Sequence, residues 1–241
     1  MRWPFTTFAT GTLLLAALPL LAATAWLASR SGFWFLLPAA LLLFVLNFFR
    51  DPERHAAGGE DELVSPADGL VADIVTVEDP QLGRPATRVG IFLNVFDVHV
   101  NRVPCSGEVE SVAERPGACL DARHPRATED NRAVTVVLRR PDGRRLAVRQ
   151  ITGLIARRII CPAVAGQRYL RGERYGMIRF GSRTELVVPT SDVAELLCKV
   201  GDRVRGGETL LVRLTPSRAR ATSDAAAADP VPAARSRSAG V

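Results

Sequence analysis

Two uncharged apolar runs at the start of the chain limit most strongly what it can become: residues 3–29 and 31–49 hold no charged side chain, and Arg30 alone divides them. An ordinary soluble fold is excluded. Residues 8–27, rich in Leu and Ala, would measure about 30 Å as an α-helix, the thickness of a bilayer's hydrocarbon core. Residues 33–49 stand at the lower limit of about 17 residues for a spanning helix, and Pro19 and Pro38 interrupt one run each. The first expectation is a transmembrane helical hairpin over residues 1–50, with helices at about 8–28 and 33–49. The second is one span followed by an interfacial or re-entrant helix, and the third a cleaved signal peptide ending near Ala22-Ala23-Thr24-Ala25. Arg2 precedes the first run, Arg50 and Arg54 follow the second, and the connection offers only Arg30. The positive-inside rule therefore assigns both ends of the hairpin, and everything after residue 50, to the cytoplasmic side of the cell's inner membrane. Trp3, Trp26 and Trp34 lie near run ends, as interfacial anchors do.

The net charge of +6 is spread thinly, with the apolar segment, the body 50–216 and the tail 217–241 each carrying two of the excess positive charges. The body has neither a dense Lys/Arg stripe nor interleaved aromatics, so no nucleic-acid partner is expected. The four cysteines, Cys105, Cys119, Cys161 and Cys198, form no C-x-x-C pair and no Cys/His cluster. They read as isolated buried thiols in a reducing compartment, and no metal site is expected.

After Asp51-Pro52 the pattern changes to short β-type runs separated by Gly, Pro and Asp, at 70–77, 88–95, 107–113, 133–138, 146–151, 177–180, 185–188 and 209–214. Pro141-Asp142-Gly143 predicts a hairpin turn, and only 191–198 has a helical period. Three segments, at 66–71, 104–109 and 200–208, place Gly at a turn and then resume alternating Val or Leu; the last is similar to the turns of biotinyl/lipoyl-type folds. The expected fold is mainly β, a barrel-sandwich-like domain over 51–216. The tail, made of Ala, Ser, Arg, Pro and Asp, is expected to be disordered because it cannot bury enough apolar surface to offset its ordering entropy.

Lys199 is the only lysine, which disfavours a pyridoxal-phosphate enzyme. Of three histidines, His55 reads as a solvated residue at the membrane exit and His124 as a loop residue. His99 lies in Asn94-Val95-Phe96-Asp97-Val98-His99-Val100-Asn101-Arg102, whose alternation predicts Asp97, His99 and Asn101 on one strand face, either a polar outer surface or a site. Gly181-Ser182 by itself is a commonplace turn, and it lacks the second Gly of a Gly-x-Ser-x-Gly nucleophile elbow.

The segment Gly172-Glu173-Arg174-Tyr175-Gly176-Met177-Ile178-Arg179-Phe180-Gly181-Ser182-Arg183 closely resembles the self-cleavage region of the short-form phosphatidylserine decarboxylases. Phe49-Arg50-Asp51-Pro52, Ser65-Pro66-Ala67-Asp68-Gly69, the segment from Asn94 to Arg102, and Ala127-Thr128-Glu129-Asp130-Asn131 resemble the family's other landmarks in the same order. The resemblance implies that the Ser182 hydroxyl attacks the Gly181 carbonyl, that the resulting ester is split by β-elimination between 181 and 182, and that the new N-terminus becomes a pyruvoyl cofactor. It implies a large β chain (1–181) and a small α chain (182–241) that remain associated. The pyruvoyl ketone, the Schiff-base site, would condense with the amino group of phosphatidylserine in the bilayer and support its decarboxylation to phosphatidylethanolamine. By the same resemblance Asp68 and His99 are the acid and the histidine of the catalytic set. Asp97, His99 and Arg102 fill the places of an Asp-x-His-x-x-His pattern, so the second histidine is replaced, and Arg102 and Asp97 become candidate substrate-binding residues. Arg183 stands where longer relatives have Thr. The alternatives are a pyruvoyl enzyme acting on another amine-containing lipid and a membrane-tethered lipoyl-like adaptor without catalysis; a homo-oligomer is compatible with the sequence.

Overall fold

The computed structural model describes residues 4–30, 32–124, 126–154, 158–179 and 182–216; the tail 217–241 and Gly181 lie outside the described residues. The first apolar run forms α1 (Thr10–Ala28), preceded by a tight turn at Thr7–Ala9 in which the Thr6 hydroxyl accepts the Phe8 N–H at 3.2 Å. Together they make 22 residues, Thr7–Ala28, about 33 Å at the helical rise and enough to cross a bilayer. The second run forms α2 (Leu36–Phe48) after a short turn at Phe33–Phe35. From Phe33 to Phe48 it reaches only about 24 Å. Two helices of spanning length were expected; among the described residues one is found, because the second helix stops at Phe49, where the chain turns into the β body.

The helices pack on each other and are held at their base. The Thr6 N–H donates to the Phe49 carbonyl and the Asp51 N–H to the Pro4 carbonyl, each at 2.9 Å, so the segments entering and leaving the pair are stitched together. Ala9, Leu13, Phe48 and Phe49 then close an apolar cluster around Met177 of the body, with Ile160 at its margin.

Apart from one isolated parallel bridge that joins Ala118 to Asn131, the body pairs its strands antiparallel. Its strands are β1 (Glu62–Val64), β2 (Gly69–Asp79), β3 (Arg84–Leu93), β4 (Val100–Arg102), β5 (Gly107–Arg115), β6 (Ala133–Arg139), β7 (Arg145–Ile151), β8 (Ile159–Ile160), β9 (Arg168–Tyr169), β10 (Arg174–Ile178), β11 (Ser182–Pro189), β12 (Val193–Leu196), β13 (Arg203–Val204) and β14 (Leu210–Leu214), with a single turn of helix, α3 (Ala127–Asp130), between β5 and β6. Eight of them form one sheet in the order β13-β2-β3-β11-β7-β6-β5-β9, flanked by the sheets β1-β14-β12 and β4-β10-β8. The large sheet runs from edge to edge in that order rather than closing on itself, so the mainly β expectation holds while the sheets are open. The apolar core lies on one face of it, where Ile91, Val136, Val148 and Leu186 meet Leu63, Leu211 and Val212 of the flanking sheet.

Local sequence accounts for most of these elements. The Pro141-Asp142-Gly143 turn joins β6 to β7 in continuous register. Gly69 opens β2 with φ +150°, where a Cβ would collide with the Phe92 carbonyl, so β2 and β3 can pair from their first rung only with Gly there. The helix expected at 191–198 is instead a turn at Thr190–Asp192 followed by β12, because pairing with β14 outweighs a short helical period.

Candidate active site

β11 is an interior strand, paired with β3 on one side and β7 on the other, and every residue in it is buried. Ser182 is its first residue, opposite Leu93, and is fully buried. Its Oγ has no hydrogen-bond partner among the described residues. An unpaired buried hydroxyl costs about 1–3 kcal/mol in desolvation, a cost that structure without chemical purpose rarely keeps. Two residues on, the Thr184 hydroxyl accepts a hydrogen bond from Asn101 Nδ2 at 3.1 Å, and Gln150 Nε2 of β7 donates to Asn101 Oδ1 at 2.8 Å. This buried chain of neutral polar groups ties β4 to β11, two residues away from both His99 and Ser182.

His99 is fully buried, immediately before β4. Its Nδ1 lies 2.9 Å from the Asp97 carbonyl, which can only accept, so Nδ1 carries the proton and Nε2 the lone pair of the neutral ring. Burial above all, with the nearby Arg50 charge, pushes the imidazole down to about 4, against the opposing influence of the Asp97 carbonyl and the Asp68 carboxylate. At neutral pH His99 is therefore an uncharged base. The Phe48 ring at the end of α2 lies 4.4 Å from the His99 ring, so the apolar helix pair forms one wall of the histidine's surroundings.

Asp97, His99 and Asn101 do not share a strand face as expected. The strand begins only at Val100, and Asp97 closes a turn in which its carboxylate accepts the Asn94 N–H at 2.9 Å and Arg203 at 3.0 Å. A turn-forming Asn94 and Asp97 override the period-two pattern there. Asp68 is held by both Arg54 nitrogens at 2.8 Å and by the Gly206 N–H at 2.8 Å. It reaches His99 through its charge, not through a hydrogen bond. Arg102 is only 3% exposed, and its guanidinium donates to Asp51, to the Pro52 carbonyl and to the Gly172 carbonyl. Burial and then the Arg174 charge lower it to about 10. In this arrangement Arg102 clamps the segment leaving the helices onto the body.

Sequence reasoning did not find the Asn101–Thr184–Gln150 chain, the Arg54–Asp68 pair or the Phe48 wall. Period two from Ser182 points to Thr184; the other partners lie far apart in sequence and carry no local signal. The four cysteines are free, with Cys105 buried and the other three partly exposed. Among the described residues no group of His, Cys, Asp and Glu could hold a metal.

A buried serine with no hydrogen-bond partner among the described residues thus heads an interior strand that Asn101 ties to the strand following a neutral imidazole, which marks this as the candidate site. Comparison with known sequences makes this specific. Residues 41–212 match the family model described as phosphatidylserine decarboxylase. The chain is 47% identical over 176 residues to the phosphatidylserine decarboxylase proenzyme of Pelobacter propionicus, covering 73% of this chain and 79% of that one. It is 47% identical over 184 residues to the proenzyme of Granulibacter bethesdensis, 75% of each chain. With that of Geobacter sulfurreducens it shares 44% over 200 residues, covering 83% and 88%. The chain belongs to the phosphatidylserine decarboxylase family. The adaptor alternative needs a long coiled coil, whereas the only α-helix among the described residues after 50 is the four-residue α3.

Proposed function

We propose that this protein decarboxylates phosphatidylserine to phosphatidylethanolamine after cleaving itself between Gly181 and Ser182. The observation that carries the reading is the unpartnered, fully buried Ser182 hydroxyl in a chain whose relatives are named proenzymes. In this reading His99, neutral with its lone pair on Nε2, takes the Ser182 proton, and Asp68 biases the ring electrostatically from within its Arg54 pair. A buried serine with no competing partner fits conversion to a pyruvoyl group, which would supply the electron sink for the departing carboxylate. The residues around it exclude water and fix the strand: Thr184, Asn101 and Gln150 on one face of β11, and Arg183 on the other.

The domains follow from the same reading: an apolar anchor at 1–50, a catalytic β domain at 51–216 whose turns are similar to those of barrel-sandwich folds, and a tail at 217–241. After scission the α chain would keep β11 between β3 and β7 of the β chain, which supports lasting association of the two. The span-length α1, together with α2, supports anchoring at the inner membrane, with the body on the cytoplasmic side by the Arg50 and Arg54 flank. Asp97 and Arg102 act here as positioning residues, the first through the turn that presents its carbonyl to His99.

The test is the intact mass of the denatured protein beside a Ser182→Ala variant, with carbon dioxide release from phosphatidylserine measured in parallel. Two fragments meeting at 181/182, the smaller blocked at its N-terminus, and activity lost in the variant are expected. A single 26.1 kDa chain with Ser182 intact would overturn the reading.

A further inference from the structure

Most arginines of the body are paired with carboxylates, as Arg54 is with Asp68, Arg102 with Asp51 and Arg149 with Asp79. Arg158 and Arg179 differ. β8 and β10 pair antiparallel with Met177 opposite Ile160 and Ile178 opposite Ile159, and the next rung sets Arg179 opposite Arg158, its N–H donating to the Arg158 carbonyl at 3.3 Å. Residues directly opposite in such a pair carry their Cβ atoms about 4.5–5.5 Å apart, and like charges there repel. No carboxylate among the described residues pairs with either, and Arg179 Nε is buried without any hydrogen-bond partner. Burial first, and then the Arg158 charge, lower the Arg179 guanidinium. The exposed Arg158 and the half-buried Arg179, neither with a carboxylate partner among the described residues and the second with a buried unsatisfied donor, offer adjacent N–H groups to an anion.

Their location says which anion. Met177 and Ile160, on the same two strands, pack against the apolar helix pair. The Ile178 N–H, one residue before Arg179, donates to the His99 carbonyl at 3.2 Å, and Ser182 follows three residues later. The pair therefore ends two strands that touch both the helix pair and the segment carrying His99, with Arg179 three residues from Ser182, a setting that suits the phosphate of a phospholipid whose serine reaches Ser182. Guanidinium forks suit phosphate because they donate two parallel N–H bonds to its oxygens.

We propose that Arg158 and Arg179 form a clamp for the diester phosphate of the phospholipid substrate; this rests on the decarboxylase reading above. The experiment uses the full chain in detergent micelles, with Arg158→Gln, Arg179→Gln, the double variant and Arg179→Lys. Self-cleavage at 181/182 checks that each variant has folded, and Arg179→Lys, which keeps the charge, serves if the Gln variants fail that check. With dihexanoyl phosphatidylserine as substrate, KM is expected to rise about tenfold or more in each Gln variant, and less in the Lys variant, while kcat stays within about threefold. Calorimetric binding of dihexanoyl phosphatidic acid, which has no serine to react, should weaken by a similar factor. Unchanged KM and unchanged phosphatidic acid binding in the folded variants would overturn the clamp. Inorganic phosphate binding as tightly as phosphatidic acid, and lost in the same variants, would overturn the lipid assignment in favour of a free-anion site. If the wild-type protein releases no carbon dioxide, the decarboxylase reading fails, and phosphatidic acid binding still judges the clamp.

Discussion

The two faces of β11 are built from alternate residues of one strand and follow opposite rules. On one face Arg183 and Glu185 lie in a closed charge network: Glu185 accepts from Arg183 at 2.8 Å, from Arg149 at 3.1 Å and from the Thr128 hydroxyl at 3.0 Å, and Arg183 also meets Asp73 at 2.7 Å. On the other face Ser182 and Thr184 meet only neutral groups, and Ser182 Oγ and Gln150 Oε1 are left without partners. The charged face is cross-linked by ion pairs, although Arg88 Nε beside Glu185 lacks a hydrogen bond, and so resists rearrangement; the neutral face keeps unspent hydrogen-bonding capacity. Under the proposed function, a strand that holds its place with a break at its first residue would need the first property, and a reacting hydroxyl the second.

The largest change in stability should come from breaking the charged face. Glu185 is fully buried among Arg88, Arg149 and Arg183, and Glu185→Ala would remove a carboxylate that these three guanidinium groups share, costing about 3–5 kcal/mol. A urea midpoint measured in detergent reads this loss, and a midpoint like that of wild type would mean that the network carries no load. The neutral face should respond to pH instead. A histidine at about 4 when folded and about 6.5 when unfolded binds its proton more readily in the unfolded chain, so stability is full above pH 6.5 and falls as the pH drops towards 4, by about 3 kcal/mol in all. The difference in unfolding free energy between wild type and His99→Gln, followed across that window, isolates this contribution; parallel curves would place the proton elsewhere. Gly90→Ala should give the smallest effect and acts again on the charged face. A Cβ there would collide with the Arg183 guanidinium, which must shift on its carboxylate partners, for about 1–3 kcal/mol. Self-cleavage at 181/182 should survive this substitution, since nothing on the neutral face is touched; its loss would show that the two faces are not independent.

Much of the architecture was legible in the sequence because its signals are local. Eight expected β runs correspond to β2, β3, β5, β6, β7, β10, β11 and β14, since alternation and turn residues act over a few positions. The alternation at 94–102 also contained β4, though it ran too long; the short strands β1, β8, β9, β12 and β13 were not legible, because two to four residues become a strand only when a partner is supplied from elsewhere in the chain. Ser182, His99 and Asp68 were singled out as candidates from ordered motifs. The Arg54 grip on Asp68 spans 14 residues, and the Asn101–Thr184 bond spans 83.

The sequence by itself determined that an uncharged apolar start precedes a mainly β body, and which serine and histidine belong to the family's motifs, because composition and residue order are carried along the chain. Only the tertiary structure decided that the histidine is an uncharged base walled by Phe48, that the second helix falls short of a span, and that among the described residues the serine hydroxyl lacks a partner and Arg158 stands opposite Arg179 without a carboxylate. Each of these depends on burial and on contacts across strands, and both are set by which distant segments the fold brings together.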